Sequence, residues 1–164
     1  MWGSTKANTP DECTWAKAPF NSGNTDYNAD AFNSVKNTAC PNGVLAKEYD
    51  AASHIMGNEW RMPTKAECEE LLDNTKNEWT RVNGVNGMKF TSKKDTSKYI
   101  FIPAAGDYDD GSVDYVGSNG YVWSSSLSTS YHSYAWDMGF GSSNCSMGDY
   151  VYRYGGLSVR GVMK

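Results

Sequence analysis

Two histidines, four cysteines and one acidic run are the residues of this chain best equipped for catalysis or metal binding. No Ser–His–acid or Cys–His set can be placed around His54 and His132, which lie far apart in sequence and context. His54 reads as a helix residue with a satisfied ring, and His132 as a contact on a loop. The cysteines, Cys13, Cys40, Cys68 and Cys145, show no C-x-x-C spacing, so they do not form a zinc motif. Two arrangements fit Cys13 and Cys40: a disulfide across the long loop between them, or reduced, partly buried thiols. The run Asp107-Tyr108-Asp109-Asp110-Gly111-Ser112-Val113-Asp114 carries the oxygen donors of a calcium loop. It lacks the bidentate Glu at the twelfth position, where Gly117, Ser118 and Asn119 stand, and reads as a solvated acidic loop. The expectation is therefore a chain that is not an enzyme, with no catalytic residue, no metal and no cofactor.

Recognition chemistry is concentrated instead between Tyr121 and Gly156. That stretch holds nine Ser, six Tyr and five Gly, and no Lys, Glu, Gln, Pro or Ile. Gln is missing from the whole chain, whereas the other four are used outside the stretch. Tyr supplies large rigid contact area at low entropic cost, and Ser and Asn supply adaptable hydrogen bonds, the mixture of antibody-like surfaces. Arg153 is the only Lys or Arg in it. Two readings stand for that residue: a bidentate anchor for a ligand carboxylate, or an ion pair with Asp149.

A chain of 164 residues has the length of a single domain, with a hydrophobic fraction of 39% and an aromatic fraction of 13%. That composition fits a folded protein despite a mean hydropathy of -0.63. No apolar run approaches the roughly 18 residues of a membrane span. The net charge is -4 and Lys and Arg are scattered, which argues against a nucleic-acid partner. Met1-Trp2-Gly3-Ser4 is not a basic region leading into an apolar stretch, so no export signal is present in this chain.

The elements that must position these residues fall into two groups. Residues 1–43 are rich in Asn, Thr, Asp, Gly and Ser and read as loops, with a short strand around Cys13-Thr14-Trp15-Ala16. A first helix is expected over Leu45 to Met56, with apolar residues at spacings of three and four and Gly57 as its stop. Thr64-Lys65-Ala66-Glu67 is a capping box opening a second helix, striped by Cys68, Leu71 and Leu72 and ended at Asp73-Asn74. Arg61 and Arg160 are expected in structural ion pairs or on backbone carbonyls. Short strands follow at 78–82, 87–92, 98–103, 121–124, 134–140, 144–148 and 157–162, separated by turn signals such as Asn83-Gly84. Two early helices and a mainly antiparallel sheet of short strands give an α+β class.

Several segments in order resemble a family. Asn58 to Glu67, with its Trp60-Arg61-Met62-Pro63-Thr64 core, is similar to an element of C-type-lectin-like domains in gut-bacterial and phage proteins of the major paralogous (FISUMP) type. Phe101-Ile102-Pro103-Ala104-Ala105-Gly106 resembles the strand that follows there. Gly120 to Ser126 and Leu157-Ser158-Val159-Arg160 look like the brackets around that family's variable region, with Gly161 where the family has Pro. The match runs from about Asp50 to the end, and more loosely through Trp2-Gly3 and Cys13-Thr14-Trp15.

The resemblance implies a single C-type-lectin-like domain over residues 1–164, with a variable ligand-binding region at 121–160. It also implies a variable protein of a diversity-generating retroelement, in which template adenines are replaced and products keep codons ending in a pyrimidine. Such codons exclude Lys, Glu, Gln, Met and Trp, so Trp123, Trp136, Met138 and Met147 would be fixed scaffold. Alternation along the strand places Trp136, Met138 and Phe140 inward and Asp137 and Gly139 outward. The implied variable contacts are Tyr131, His132, Ser133, Tyr134, Asp137, Gly139, Asn144, Cys145, Asp149, Tyr150, Tyr152, Arg153 and Tyr154. Their partner would be a protein or cell-surface ligand, met outside the cell, at its surface or on a phage virion.

Formylglycine-generating enzymes share a related fold, but their chemistry uses a cysteine pair in the C-terminal half, where this chain has only Cys145. The Glu-Pro-Asn, Gln-Pro-Asp and Trp-Asn-Asp motifs of calcium-dependent sugar lectins do not occur. The competing reading is a structural or adhesin surface subunit with no diversified site.

Overall fold

Side chains that accept the first free amides set the helix starts. The computed structural model describes residues 1–164 apart from the side chain of Asp149. Asn28 accepts from the Ala31 amide at 2.9 Å and opens α1, Ala29–Ala39. Asp50 opens α2, Ala51–Met56, with Oδ1 accepting from Ser53 N at 2.8 Å and Oδ2 accepting from Met62 N at 2.8 Å. Thr64 opens α3, Lys65–Asn74, through the capping box: Glu67 N donates to Thr64 Oγ1 at 3.3 Å and Thr64 N donates to Glu67 Oε2 at 2.9 Å. Glu67 also receives both guanidinium nitrogens of Arg61, at 2.6 and 2.5 Å, so cap and ion pair share one carboxylate.

The strands are β1 (Trp60–Arg61), β2 (Thr75–Val82), β3 (Val85–Ser92), β4 (Tyr99–Pro103), β5 (Asp107–Asp109), β6 (Ser112–Asp114), β7 (Asn119–Leu127), β8 (Tyr134–Gly141), β9 (Cys145–Tyr152) and β10 (Val162–Met163). They form antiparallel sheets in the orders β1-β10, β2-β3-β4, β5-β6 and β7-β8-β9. The β2–β3 hairpin turns on Asn83-Gly84, both at positive φ (49° and 84°), as a two-residue primed turn requires. Helices and antiparallel sheets together give the α+β class. No helix among the described residues is long and apolar enough to cross a membrane.

Sheet β7-β8-β9 has a core on each face. One core joins Met88, Phe90 and Ile102 to Val122, Met138 and Phe140, with Leu71, Leu72 and Trp79 against it. Gly120 is needed there, because a Cβ would lie 2.2 Å from the Phe140 ring. The other core joins Trp2, Phe32, Leu45, Ala52 and Met62 to Trp123, Leu127 and Ala135. The chain start is built into it: Trp2 Nε1 donates to Ser124 O at 2.8 Å and Trp2 N to Arg153 O at 3.0 Å.

Three expectations about elements are corrected. The first 43 residues contain α1, and Trp15–Lys17 is a 3-10 turn rather than part of a strand. The helix expected over Leu45 to Met56 starts only at Ala51. Leu45 N donates to Ser125 O at 2.9 Å, and the extended Asp50 (φ -88°, ψ 109°) interrupts the winding. The strand expected at 157–162 is reduced to a bridge between Val122 and Ser158 and to β10. Cys13, Cys40, Cys68 and Cys145 are all free thiols, so the Cys13–Cys40 bridge is not formed.

The Arg61 hydrogen bonds, opposed by partial burial, pull the Glu67 carboxyl down to about 2 from its ordinary 4.5. A depressed carboxylate stabilises the fold fully above its unfolded value and loses that contribution as pH falls toward the folded one. Glu67→Gln is therefore expected to unfold more easily than the native chain at neutral pH, with the gap closing as pH drops from 4.5 toward about 2. Urea midpoints across that range check this, and a gap independent of pH would contradict it.

Candidate binding surface

Four of the six tyrosines of 121–156, Tyr131, Tyr134, Tyr152 and Tyr154, line up. Tyr134 on β8 pairs with Tyr152 on β9, and their rings stack at 4.7 Å and 28°. Tyr152 stacks on Tyr154 at 5.6 Å and 14°, and Tyr131 meets Tyr134 edge-on at 6.0 Å. Trp15, from the 3-10 turn, sits 5.7 Å from Tyr152, 5.1 Å from Tyr154 and 5.2 Å from Tyr27. These contacts join six aromatic rings into one row. Tyr131 is 66% exposed, Tyr152 42%, and Tyr150, on β9 in the same region, 84%. Burial, and after it a hydrogen bond to Asp109, pushes the Tyr154 phenol above its ordinary range.

Arg153 lies behind the row with no exposed surface. Its guanidinium carbon is 4.1 Å from the centre of the Phe32 ring, and Tyr27, Trp15 and Trp2 surround it at 5.7, 5.8 and 6.0 Å. Nε donates to His132 O at 2.7 Å and Nη1 to Pro19 O at 3.4 Å, while Nη2 is buried without a hydrogen-bond partner. Burial lowers its pKa to about 10, with Tyr27 and Cys40 opposing, so it stays charged at neutral pH. Among the described residues no carboxylate pairs with it.

The expected contact residues therefore divide. Tyr131, Asn144, Tyr150 and Tyr152 are exposed; His132, Ser133, Tyr134, Gly139 and Tyr154 are half-buried. The side chain of Asp149 lies outside the described residues, so the proposed Arg153–Asp149 pair does too.

Arg153 is corrected from a ligand contact to a core residue, because aromatic rings and carbonyls enclose it. Cys145 is half-buried: it packs against the Met138–Phe140 core, and burial pushes its thiol up to about 11. Asp137 is 3% exposed. Alternation assigns its face correctly, opposite Met138, but that face is covered in turn by the Trp123 and Ala135 core. Trp136 was expected in the core and is half-buried, with the Lys65 ammonium 3.9 Å from its ring centre. A register shift between Ala135 and Asp137 accompanies this departure.

His132 leans inward, its ring 5.7 Å from that of Phe32, and burial, then Lys36 and Arg153, lower its pKa. It also lines a cleft of about 370 Å³ beside the C-terminal end of α1. Trp15 and Tyr27 join the surface without having been expected there. The only sequence signal for Trp15 was its place in the loosely matching Cys13-Thr14-Trp15 stretch.

The acidic run 107–114 folds as the β5–β6 hairpin. Burial, with Asp114 and Asp109 nearby, raises the Asp107 pKa. No cluster of three or more His, Cys, Asp or Glu suited to a metal ion occurs among the described residues. What the aromatic row offers is flat apolar area with phenolic hydroxyls along it, suited to contact and hydrogen bonding.

Comparison of the chain with protein-family models, with curated proteins and with solved structures returns no match.

The division between surface and core has a direct consequence for stability. Arg153→Ala is expected to cost about 3 kcal/mol or more, through a cavity among the rings and the lost tie to His132 O. Tyr150→Ser is expected to change stability by about 0.5 kcal/mol or less. Urea denaturation of both variants checks this, and similar costs for the two would contradict the division.

Proposed function

We propose that this chain is a non-catalytic binding protein whose tyrosine-rich surface on β8 and β9 takes a protein or cell-surface ligand. In this reading the scaffold is C-type-lectin-like and retroelement mutagenesis diversifies the surface. The observation that carries the reading is the aromatic row, with Tyr131 and Tyr152 exposed, built mainly from a stretch with no Lys or Glu. Exposed contiguous aromatic area is uncommon on inert surfaces and common at interfaces. The ordered resemblance from Asp50 onward supports it further.

Burial narrows which positions can vary at little cost. Tyr131, Asn144 and Tyr150 are exposed and tolerate exchange; Tyr152, though exposed, is the central ring of the stack, and Asp137 and Arg153 are buried and belong to the scaffold.

The test is made on DNA. A near-identical template repeat is expected beside the gene, differing from it at template adenines, with a reverse transcriptase gene nearby. Among sibling copies, differences are expected at codons 131, 144 and 150 and not at 137 or 153. If no repeat and no reverse transcriptase are found, or if sibling differences spread evenly over 1–120, diversification is rejected and the adhesin-subunit reading takes its place.

A further inference from the structure

A second concave site lies beside α3, and no ring of the aromatic row lines it. It is a cleft of about 440 Å³ between α3, β4 and the segment entering β10, within the roughly 300–1,000 Å³ range of small-molecule sites. Cys68 and Leu71 of α3, Ile100 and Ile102 of β4, Val122 of β7 and Met138 of β8 make its walls apolar.

Charge at the mouth is uneven. Of the four arginines, Arg61 binds Glu67, Arg81 donates to Gly84 O at 2.9 Å, and Arg153 is caged. Arg160, expected in a structural ion pair or on backbone carbonyls, is instead exposed at the mouth with no side-chain partner among the described residues. Glu67 is held by Arg61, so it does not neutralise Arg160. Elsewhere in the lining the polar side chains are neutral: Asn74 Nδ2 donates to Glu70 O at 2.9 Å, Thr75 Oγ1 donates to Leu71 O at 2.6 Å, and Ser92 Oγ accepts from the Lys94 and Asp95 amides. The exposed carboxylate of Glu70, on the helix lip, disfavours a second anionic group.

We propose that this cleft binds an amphipathic monocarboxylic acid, its apolar body against Leu71, Ile100 and Val122 and its carboxylate on the Arg160 guanidinium. A guanidinium meets a carboxylate through two parallel hydrogen bonds. The single acidic head follows from Glu70, which works against dicarboxylates and phosphate dianions. The site is independent of the diversified-surface reading, since none of its lining residues belongs to the aromatic row.

Calorimetric titration of the full chain with decanoate and with decanol tests the proposal. Decanoate is expected to bind about tenfold tighter than decanol. Arg160→Gln should reduce decanoate to the affinity of decanol and leave decanol unchanged. Glu70→Gln should keep or strengthen decanoate binding. Ile100→Trp, which fills the cleft, should abolish binding of both; Arg160 is exposed, so its variant carries the test even if Ile100→Trp does not fold. The proposal is overturned if decanoate does not bind, if Arg160→Gln leaves its affinity unchanged, or if Tyr150→Ser abolishes it and so places it on the aromatic row.

Discussion

A guanidinium with no exposed surface sits where four stretches of chain meet, and each stretch supplies part of what keeps the charge there. Taking a cation out of water costs several kcal/mol unless the protein replaces its hydration. For Arg153 the replacement comes from the Phe32 face at 4.1 Å, the surrounding rings of Trp2, Trp15 and Tyr27, and the carbonyls of His132 and Pro19. These residues belong to the chain start, the N-terminal loops, α1 and the loop before β8. Apart from His132, none of them reaches Arg153 unless the N-terminal third is folded against the end of β9. The apolar rings gain as well, because the cation–π contact adds attraction to surface that is already buried.

That constraint separates scaffold from surface along a single stretch of chain. Val151 packs against the core, Arg153 is buried, and between them Tyr152 projects at 42% exposure. Two-residue alternation thus lets one sequence carry a fixed anchor and an exposed aromatic ring side by side. The backbone tie reinforces it: Arg153 N donates to Ser133 O and Trp2 N donates to Arg153 O, at 2.9 and 3.0 Å. Exchange of an exposed tyrosine leaves those bonds untouched.

What could be read from sequence was what depends on neighbours in sequence. Thr64 and Glu67 sit three apart and cap α3 as their types dictate, and Asn83-Gly84 turns the hairpin as its φ preferences require. α1 escaped because its stripe is thin: of its residues only Phe32 and Ala39 are buried, and the helix is held by tertiary packing more than by its own pattern. Arg153 escaped for the related reason that its partners lie over a hundred residues away or on another element. Asp137 was placed on the correct face and given the wrong environment. Alternation says which residues share a face, and it is silent on whether a second layer covers that face.

The aromatic row itself is preorganised by the same packing. Tyr134, Tyr152 and Tyr154 stack on one another, and Trp15 braces Tyr152 and Tyr154 from the N-terminal side. Rings already restrained by their neighbours lose little freedom when a partner covers them, so more of the contact energy appears as affinity. Tyr150 stands apart: it is 84% exposed, and its ring lies beside Gly148, where a Cβ would come within 3.4 Å. The stacked rings can supply a rigid floor while Tyr150 keeps its rotamer freedom to adapt. A surface divided in this way can accept different side chains at its free positions without giving up the rigid part that makes contact favourable.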